Sequence, residues 1–175
     1  MNLRRESDEV YYAQGPIPTV DDEAIAFVRS RAYGNPRRVC RICTHPDPSD
    51  RLHEMLICHA RGGYVRPHGH AGKGVSFAFI EGRGHLVTFA ADGTPDAFLP
   101  IGPPGSGRAS YRRLPEGCIY TFLIDDGHLL LRETILGPFA PSQNIWAAWA
   151  PAETDVPAAT AFLAGLTARA REVAP

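Results

Sequence analysis

The pair His68 and His70, in the stretch RPHGHAGKGVSF (66–77), is the part of the sequence best suited to chemistry. The segment predicts an extended strand, on which side chains two positions apart leave the same face. The two imidazoles are therefore expected to converge on one point, where they could bind a metal ion or transfer a proton. Two ligands do not complete a metal site, so further donors must come from elsewhere in the chain.

The strand that carries this pair resembles the first sequence motif of the cupins. In GYVRPHGHAGKGVSFAFIEG, Gly62 or Gly63 opens the motif, His68 and His70 match its histidine pair, and Gly82 closes it. The resemblance implies an antiparallel β-barrel with the two histidines inside it.

A second stretch, SYRRLPEGCIYTF, resembles the second cupin motif, in which Pro115 and Gly117 precede a position that is normally histidine. Further blocks narrow the resemblance to the WbuC-type cupin fold metalloproteins and extend it over roughly residues 9–153; they are NPRR, HPDPSDRLHEMLI, GPFAPS and AAWAPAE. WbuC-type genes often accompany surface-polysaccharide genes. The resemblance therefore implies a sugar or another polar metabolite as the ligand.

Two of the four metal ligands that the family pattern implies are replaced in this chain. Val75 stands in place of the acidic ligand, and Tyr120 in place of the histidine of the second motif. The family's set of three histidines and a carboxylate would suit Zn, Fe, Mn, Ni or Co equally well. Valine cannot coordinate, and a phenol of ordinary pKa about 10 must first lose its proton. We therefore expect a divalent ion at His68 and His70 to bind weakly or not at all.

Three functions are open at this point. The first is a small-molecule-binding cupin with a degenerate metal centre at His68 and His70. The second is a metal-dependent enzyme that uses His68, His70 and Tyr120, and the third is a non-catalytic structural or regulatory protein. Without a metal, the same three residues also form an acid–base set, because histidine titrates near neutral pH and tyrosine can donate a proton.

A ligand in the barrel is expected to contact the aromatic side chains of Phe77, Phe79 and Phe122, with Arg66 near the mouth. His45 and His53 flank the turn PDPSD and are predicted to be surface or loop residues. Other side chains that could complete a metal site are His85, His128, Glu133 and Cys58.

The elements that must position these residues are mainly strands. Residues 19–34, TVDDEAIAFVRSRAYG, and residues 155–172, DVPAATAFLAGLTARARE, each predict a helix with a capping residue at its start. Between them, from 35 to 151, short alternating runs are separated by turns rich in glycine and proline. The connection from Thr88 to Tyr111 shows the least regular pattern. We predict a mainly β, single-domain cupin (antiparallel β-barrel or jelly roll) across residues 1–175, with a helix on either side.

The composition is that of an ordinary globular protein, with 44% hydrophobic and 21% charged residues and a net charge of −1. This balance argues against nucleic acid or a membrane as partner, because such roles usually show a basic excess. No secretory signal is present at the start, so a cytoplasmic location is expected, where the four cysteines are free thiols. A homodimer is a further expectation, since cupins often pair through edge strands.

Overall fold

The computed structural model describes residues 2–172, which form twelve strands, two helices and one 3-10 turn. The strands are β1 (Leu3–Arg5), β2 (Val10–Ala13), β3 (Val39–Cys43), β4 (Leu52–Ala60), β5 (His68–His70), β6 (Val75–Glu81), β7 (Gly84–Phe89), β8 (Pro95–Ile101), β9 (Tyr111–Leu114), β10 (Ile119–Ile124), β11 (His128–Leu136) and β12 (Asn144–Trp146). The helices are α1 (Asp22–Gly34) and α2 (Val156–Glu172), and the 3-10 turn is Pro141–Gln143.

These strands form two sheets. The larger has the order β1-β2-β3-β4-β11-β6-β9, and the smaller has the order β12-β5-β10-β7-β8. One hydrophobic core draws side chains from both sheets, among them Phe77 and Leu131 from the larger and Leu86 and Phe122 from the smaller. The sheets therefore face each other across a shared interior. The prediction of a mainly β, cupin-type barrel with two helices is confirmed; the assignment of the whole chain to one domain stays a prediction.

Each helix covers the outer face of one sheet. Asp21 caps α1 by accepting a hydrogen bond from the backbone N–H of Ala24 at 2.9 Å, as expected for an acidic residue at this position. The buried stripe of α1, which includes Val28, packs in the same cluster as Cys40 and Cys58 of β3 and β4. On the other side, α2 packs against the smaller sheet. Neither helix in the described residues is long and apolar enough to cross a membrane.

The first two strands and β8 were not predicted. Strand β2 precedes α1 and pairs in parallel with β3, with Val10 opposite Arg41. Strand β8 lies within the connection from Thr88 to Tyr111 and pairs with β7. β1 and β2 contain three and four residues, too few for alternation to be recognised, and their pairing depends on the rest of the barrel.

Two glycines allow close backbone contacts, and one of them lies in the histidine strand. Gly69 separates His68 from His70, and a Cβ at this position would lie 2.8 Å from the carbonyl oxygen of Cys118. Gly82 has φ +76°, and a Cβ there would lie 1.9 Å from the carbonyl oxygen of His128. Any larger residue at 69 would push β5 away from the start of β10, so the glycine keeps both imidazoles next to Tyr120.

Candidate functional site

His68, His70 and Tyr120 meet in the barrel interior. Tyr120 on β10 lies directly opposite His68 on β5, so their side chains share one face of the smaller sheet. The ring centroids of His68 and Tyr120 are 4.7 Å apart, and those of the two histidines are 5.2 Å apart. Nε2 of His70 lies 3.4 Å from the Tyr120 hydroxyl. The structure thus brings together the three residues that the sequence singled out, although their function stays a prediction.

His68 is held as a neutral base. Its Nδ1 lies 2.8 Å from the carbonyl oxygen of Arg66, which can only accept a hydrogen bond, so Nδ1 carries the proton. Burial lowers the pKa of His68 to about 4, because the charged imidazolium would lose its hydration. The lone pair of Nε2 is therefore free at neutral pH to accept a hydrogen bond or a proton.

Tyr120 is held as a protonated phenol. Its side chain is almost fully buried, and burial together with the negative charge of Glu133 raises its pKa well above the usual value. Glu133 lies on β11 between Met55 and Phe77 of the flanking strands, and burial raises its pKa against the opposing effect of Arg41. Tyr120 therefore favours its protonated form, in which it can donate a hydrogen bond.

The three residues line a cavity of about 530 Å³ between the two sheets. This volume lies in the range of about 300–1,000 Å³ that is usual for small-molecule sites. Leu136, Phe139 and Trp146 also line the cavity and are roughly half exposed, so the cavity opens to solvent on their side. A molecule of sugar size can be accommodated.

The predicted ligand-binding side chains divide into two groups. Phe122 and Arg66 line the cavity, and Arg66 donates to the carbonyl oxygen of Ala147 at 3.3 Å, with its guanidinium 5.5 Å from the ring centroid of Trp146. Phe77 and Phe79 are buried among other aromatic rings and are not part of the cavity wall. Phe77 supports Tyr120 from behind, with ring centroids 5.3 Å apart.

Histidines are concentrated at this cavity, which five of the seven in the chain line. His45 and His53 are buried there, with parallel rings 4.0 Å apart. The prediction of surface or loop residues is wrong for His53, because the strand β4 carries it into the interior. His45 does lie in the loop after β3, but it is buried. His59, on the same face of β4, is also buried, and burial lowers its pKa to about 3.

Sequence analysis also missed Arg41 and His59. Val39, Arg41 and Cys43 of β3 face the cavity, whereas Cys40 and Ile42 pack towards α1. Because both faces of β3 are covered, the sequence VCRIC shows no clear alternation from which the inward residues could be identified. The available indication was that Arg41 and His59 each stand next to apolar residues of their strands. Such residues are rarely buried without a partner.

Buried polar atoms without a partner collect around this cavity. Within residues 2–172, six buried side-chain nitrogen or oxygen atoms make no hydrogen bond, and four of them belong to residues that line the cavity: Arg41 Nε, His53 Nε2, Arg66 Nε and Gln143 Oε1. An unsatisfied buried donor costs about 1–3 kcal/mol. Their concentration in one place indicates a site that is shaped for polar contacts with another molecule.

The donors do not fit the metal centre that the family pattern implies. No group of three or more His, Cys, Asp or Glu side chains in the described part of the chain is arranged to hold a metal ion. Val75 is buried in the core, and Tyr120 favours its neutral form. Three of the other candidates are engaged elsewhere: His85 lies 3.4 Å from Asp125, His128 lies 2.9 Å from Glu81, and Cys58 packs towards α1. The fourth, Glu133, lines the same cavity as His68 and His70. Metal binding at His68 and His70 stays a prediction.

Comparison with known proteins gives no assignment of activity. Residues 20–97 match the model of the family described as Domain of unknown function (DUF6016). No curated protein matches the chain.

Three similar solved structures illustrate how far the structural likeness extends. A putative sugar phosphate isomerase from Acidithiobacillus ferrooxidans is 15% identical (TM-score 0.41, 50% of this chain and 51% of that one). KdgF from Halomonas sp. is 12% identical (0.46, 59% and 82%), and a variant of Streptomyces PAC13 with uridine is 11% identical (0.49, 69% and 87%). The chain thus spans about half the length of the Acidithiobacillus protein. The fold is assigned from the sheets themselves.

Proposed function

We propose that this protein binds a small polar molecule, a sugar or a related polar metabolite, in the cavity beside His68, His70 and Tyr120. The observation that carries the proposal is the clustering of unpartnered buried polar atoms around one cavity. A protein interior selected for stability alone would pair such atoms or replace them by apolar groups.

The chemistry of the cavity suits a ligand with several hydroxyl groups. Nε2 of neutral His68 can accept a hydrogen bond from a hydroxyl, and the protonated Tyr120 can donate one. Phe122 supplies an apolar ring against which the carbon skeleton of a sugar can pack. The WbuC-type resemblance, which implies a surface-polysaccharide context, supports the same class of ligand.

Thermal unfolding with a library of monosaccharides and polar metabolites tests this proposal. A ligand at about 100 times its Kd stabilises the folded state by about 2.7 kcal/mol, and for a chain of this size each kcal/mol raises the Tm by about 2–4 °C. We expect at least one compound to raise the Tm of the wild type, and His68→Ala and Tyr120→Phe to lose the effect. His128→Gln and Tyr33→Phe, outside the cavity, serve as controls that keep it.

The two other functions predict different results. A metal-dependent enzyme should contain about one divalent ion per chain by elemental analysis of the untagged protein, and the ion should be lost in His68→Ala. A structural or regulatory protein should show neither ion nor stabilisation by any compound. Stabilisation that persists in His68→Ala and Tyr120→Phe would contradict the proposed site.

A further inference from the structure

Arg41 is the charged group that projects into the barrel interior from β3. Its neighbours on the same face, Val39 and Cys43, are buried core residues, as is Ile57, which lies directly opposite on β4. The guanidinium therefore projects from between apolar side chains, and His59 lies on the same face of β4. Its charge contributes to lowering the pKa values of His59 and His68 and opposes the rise at Tyr120, so it acts electrostatically on the whole cavity.

No carboxylate lies within ion-pair distance of Arg41 in the described structure. The Nε of Arg41 is buried without a hydrogen-bond partner. Glu133 also lines the cavity, where burial raises its pKa and the charge of Arg41 opposes the rise, but the two side chains form no ion pair.

Other arginines of the chain show what a paired guanidinium looks like here. Arg37, at the cavity rim, contacts the carboxylates of Glu9 at 3.5 Å and Glu153 at 2.7 Å. Arg108 binds Asp125 at 2.6 Å. Pairing is thus available to arginines in this fold, whereas Arg41 and Arg66 line the cavity with a buried, unpartnered Nε and no ion pair among the described residues. Of these two, Arg41 is the one that projects from between buried core residues.

We infer that the ligand of this cavity carries a carboxylate, and that Arg41 is the residue that binds it. This inference rests on the binding function proposed above and adds the chemical class of the ligand. A guanidinium offers two parallel N–H donors that match the two oxygens of a carboxylate. The carboxylate would neutralise Arg41, while His68, Tyr120 and Phe122 contact the remaining polar skeleton.

The charge of the cavity favours a carboxylate over a phosphate. His59 and His68 are neutral at pH 7, since burial lowers their pKa values to about 3 and about 4. Among the other cations of the cavity, Arg37 is already paired, Lys73 donates to the carbonyl oxygen of Pro138 at 2.6 Å, and Arg66 lies beside the half-exposed Trp146 near the mouth. Arg41 supplies one positive charge beside the buried residues of β3 and β4, which matches one negative charge, whereas a phosphate near neutral pH carries between one and two.

Matched pairs of compounds test the inference. D-Gluconate is compared with D-glucitol, and L-lactate with propane-1,2-diol, because each pair differs mainly in the carboxylate; glycerol 3-phosphate supplies the phosphate. We expect a carboxylate to raise the Tm of the wild type more than its neutral partner. Arg41→Gln should weaken its apparent affinity about tenfold or more, the usual effect of losing a charge-assisted hydrogen bond. Arg113→Gln, an equal charge change at an exposed position of β9, should leave it unchanged.

A second variant separates binding from a structural role. Arg41→Met removes an unpaired charge from an apolar surface, so without ligand it should raise the Tm by about 2–4 °C. A structural role predicts the opposite, a lower Tm for Arg41→Met together with an unchanged response to carboxylates in Arg41→Gln, and that result would overturn the inference.

The remaining outcomes distinguish a failure of the carboxylate inference from a failure of the proposed small-molecule binding. The carboxylate inference is wrong, but the binding site remains, in two cases. In the first, glycerol 3-phosphate raises the Tm more than both carboxylates do. In the second, only the neutral compounds raise the Tm, and His68→Ala abolishes the rise. If none of these compounds raises the Tm of the wild type, the inference is overturned. If no compound of the whole metabolite library raises it, the proposed function is overturned as well.

Discussion

The barrel interior has two sides that differ in chemistry. On the side of β6–β9, the core consists of apolar residues such as Phe77, Phe79 and Leu86, with aromatic rings in contact. On the side of β2–β5, the same interior contains Arg41, His59 and other polar groups around a cavity. The apolar side accounts for the stability of the barrel, whereas the polar side lowers it. We infer from this difference that the apolar side stabilises the fold and that the polar side binds a ligand.

The largest expected effect comes from the apolar side. Phe77→Ala removes a fully buried ring from the centre of the core, and such truncations cost about 3–5 kcal/mol in the free energy of unfolding. Tyr120→Phe, next to it on the polar side, removes only a hydroxyl whose one close neighbour is His70 and should change the value by less than about 1 kcal/mol. Denaturant unfolding measures both. Equal losses would contradict the division into two sides.

Low pH should destabilise the protein mainly through the histidines on the polar side of the interior. The pKa values of His59 and His68 in the folded state are about 3 and about 4, below the ordinary value of 6.5. Below pH 6.5 the unfolded chain therefore binds more protons than the folded chain, and stability falls as the pH falls towards the folded values. At pH 5 each histidine should cost about 2 kcal/mol.

A substitution of His59 tests whether the loss of stability at low pH comes from the cavity. His59→Leu should reduce the difference between the free energies of unfolding at pH 7 and pH 5 by about 2 kcal/mol, whereas Tyr33→Phe, outside the cavity, should leave it unchanged. A wild type whose stability is the same at the two pH values would show that these histidines are hydrated. The polar side of the interior would then not lower the stability of the barrel.

Glu133→Gln should give the smallest effect, with the opposite dependence on pH. Burial raises the pKa of Glu133 in the folded state, so the unfolded chain releases this proton first as the pH rises. The wild type therefore loses stability above the unfolded pKa of about 4.3. Glu133→Gln should therefore be more stable than the wild type at pH 7, and the two should converge near pH 4 in denaturant unfolding. A less stable variant at pH 7 would indicate that the carboxylate is needed for the fold.

The sequence predicted the part of the site that lies on one strand pair. His68 and His70 share a strand face by spacing alone, and the second cupin-like motif placed Tyr120 opposite them. The resemblance also implies that Val75 stands where the family has a metal ligand, which stays a prediction. These predictions depended on local spacing and on a resemblance, both of which are readable along the chain.

The rest of the site depends on pairing between distant segments. Arg41 faces the cavity because β3 pairs with β2 and β4, and α1 covers its other face. Neither fact is encoded near residue 41, and the sequence VCRIC is apolar on both sides of the arginine. His53 was misplaced for the same reason, since a histidine beside a polar turn resembles a surface residue until the strand register is known.

Enrichment of small molecules by the purified protein is the measurement that tests the central claim most directly. Wild type, His68→Ala and Arg113→Gln are each incubated with a cell metabolite extract, washed, and denatured, and the released compounds are identified by mass spectrometry. The structure predicts that one small polar compound is enriched by the wild type and by Arg113→Gln and is lost in His68→Ala. Enrichment of nothing, or equal enrichment by His68→Ala, would contradict a binding site beside His68 and Tyr120.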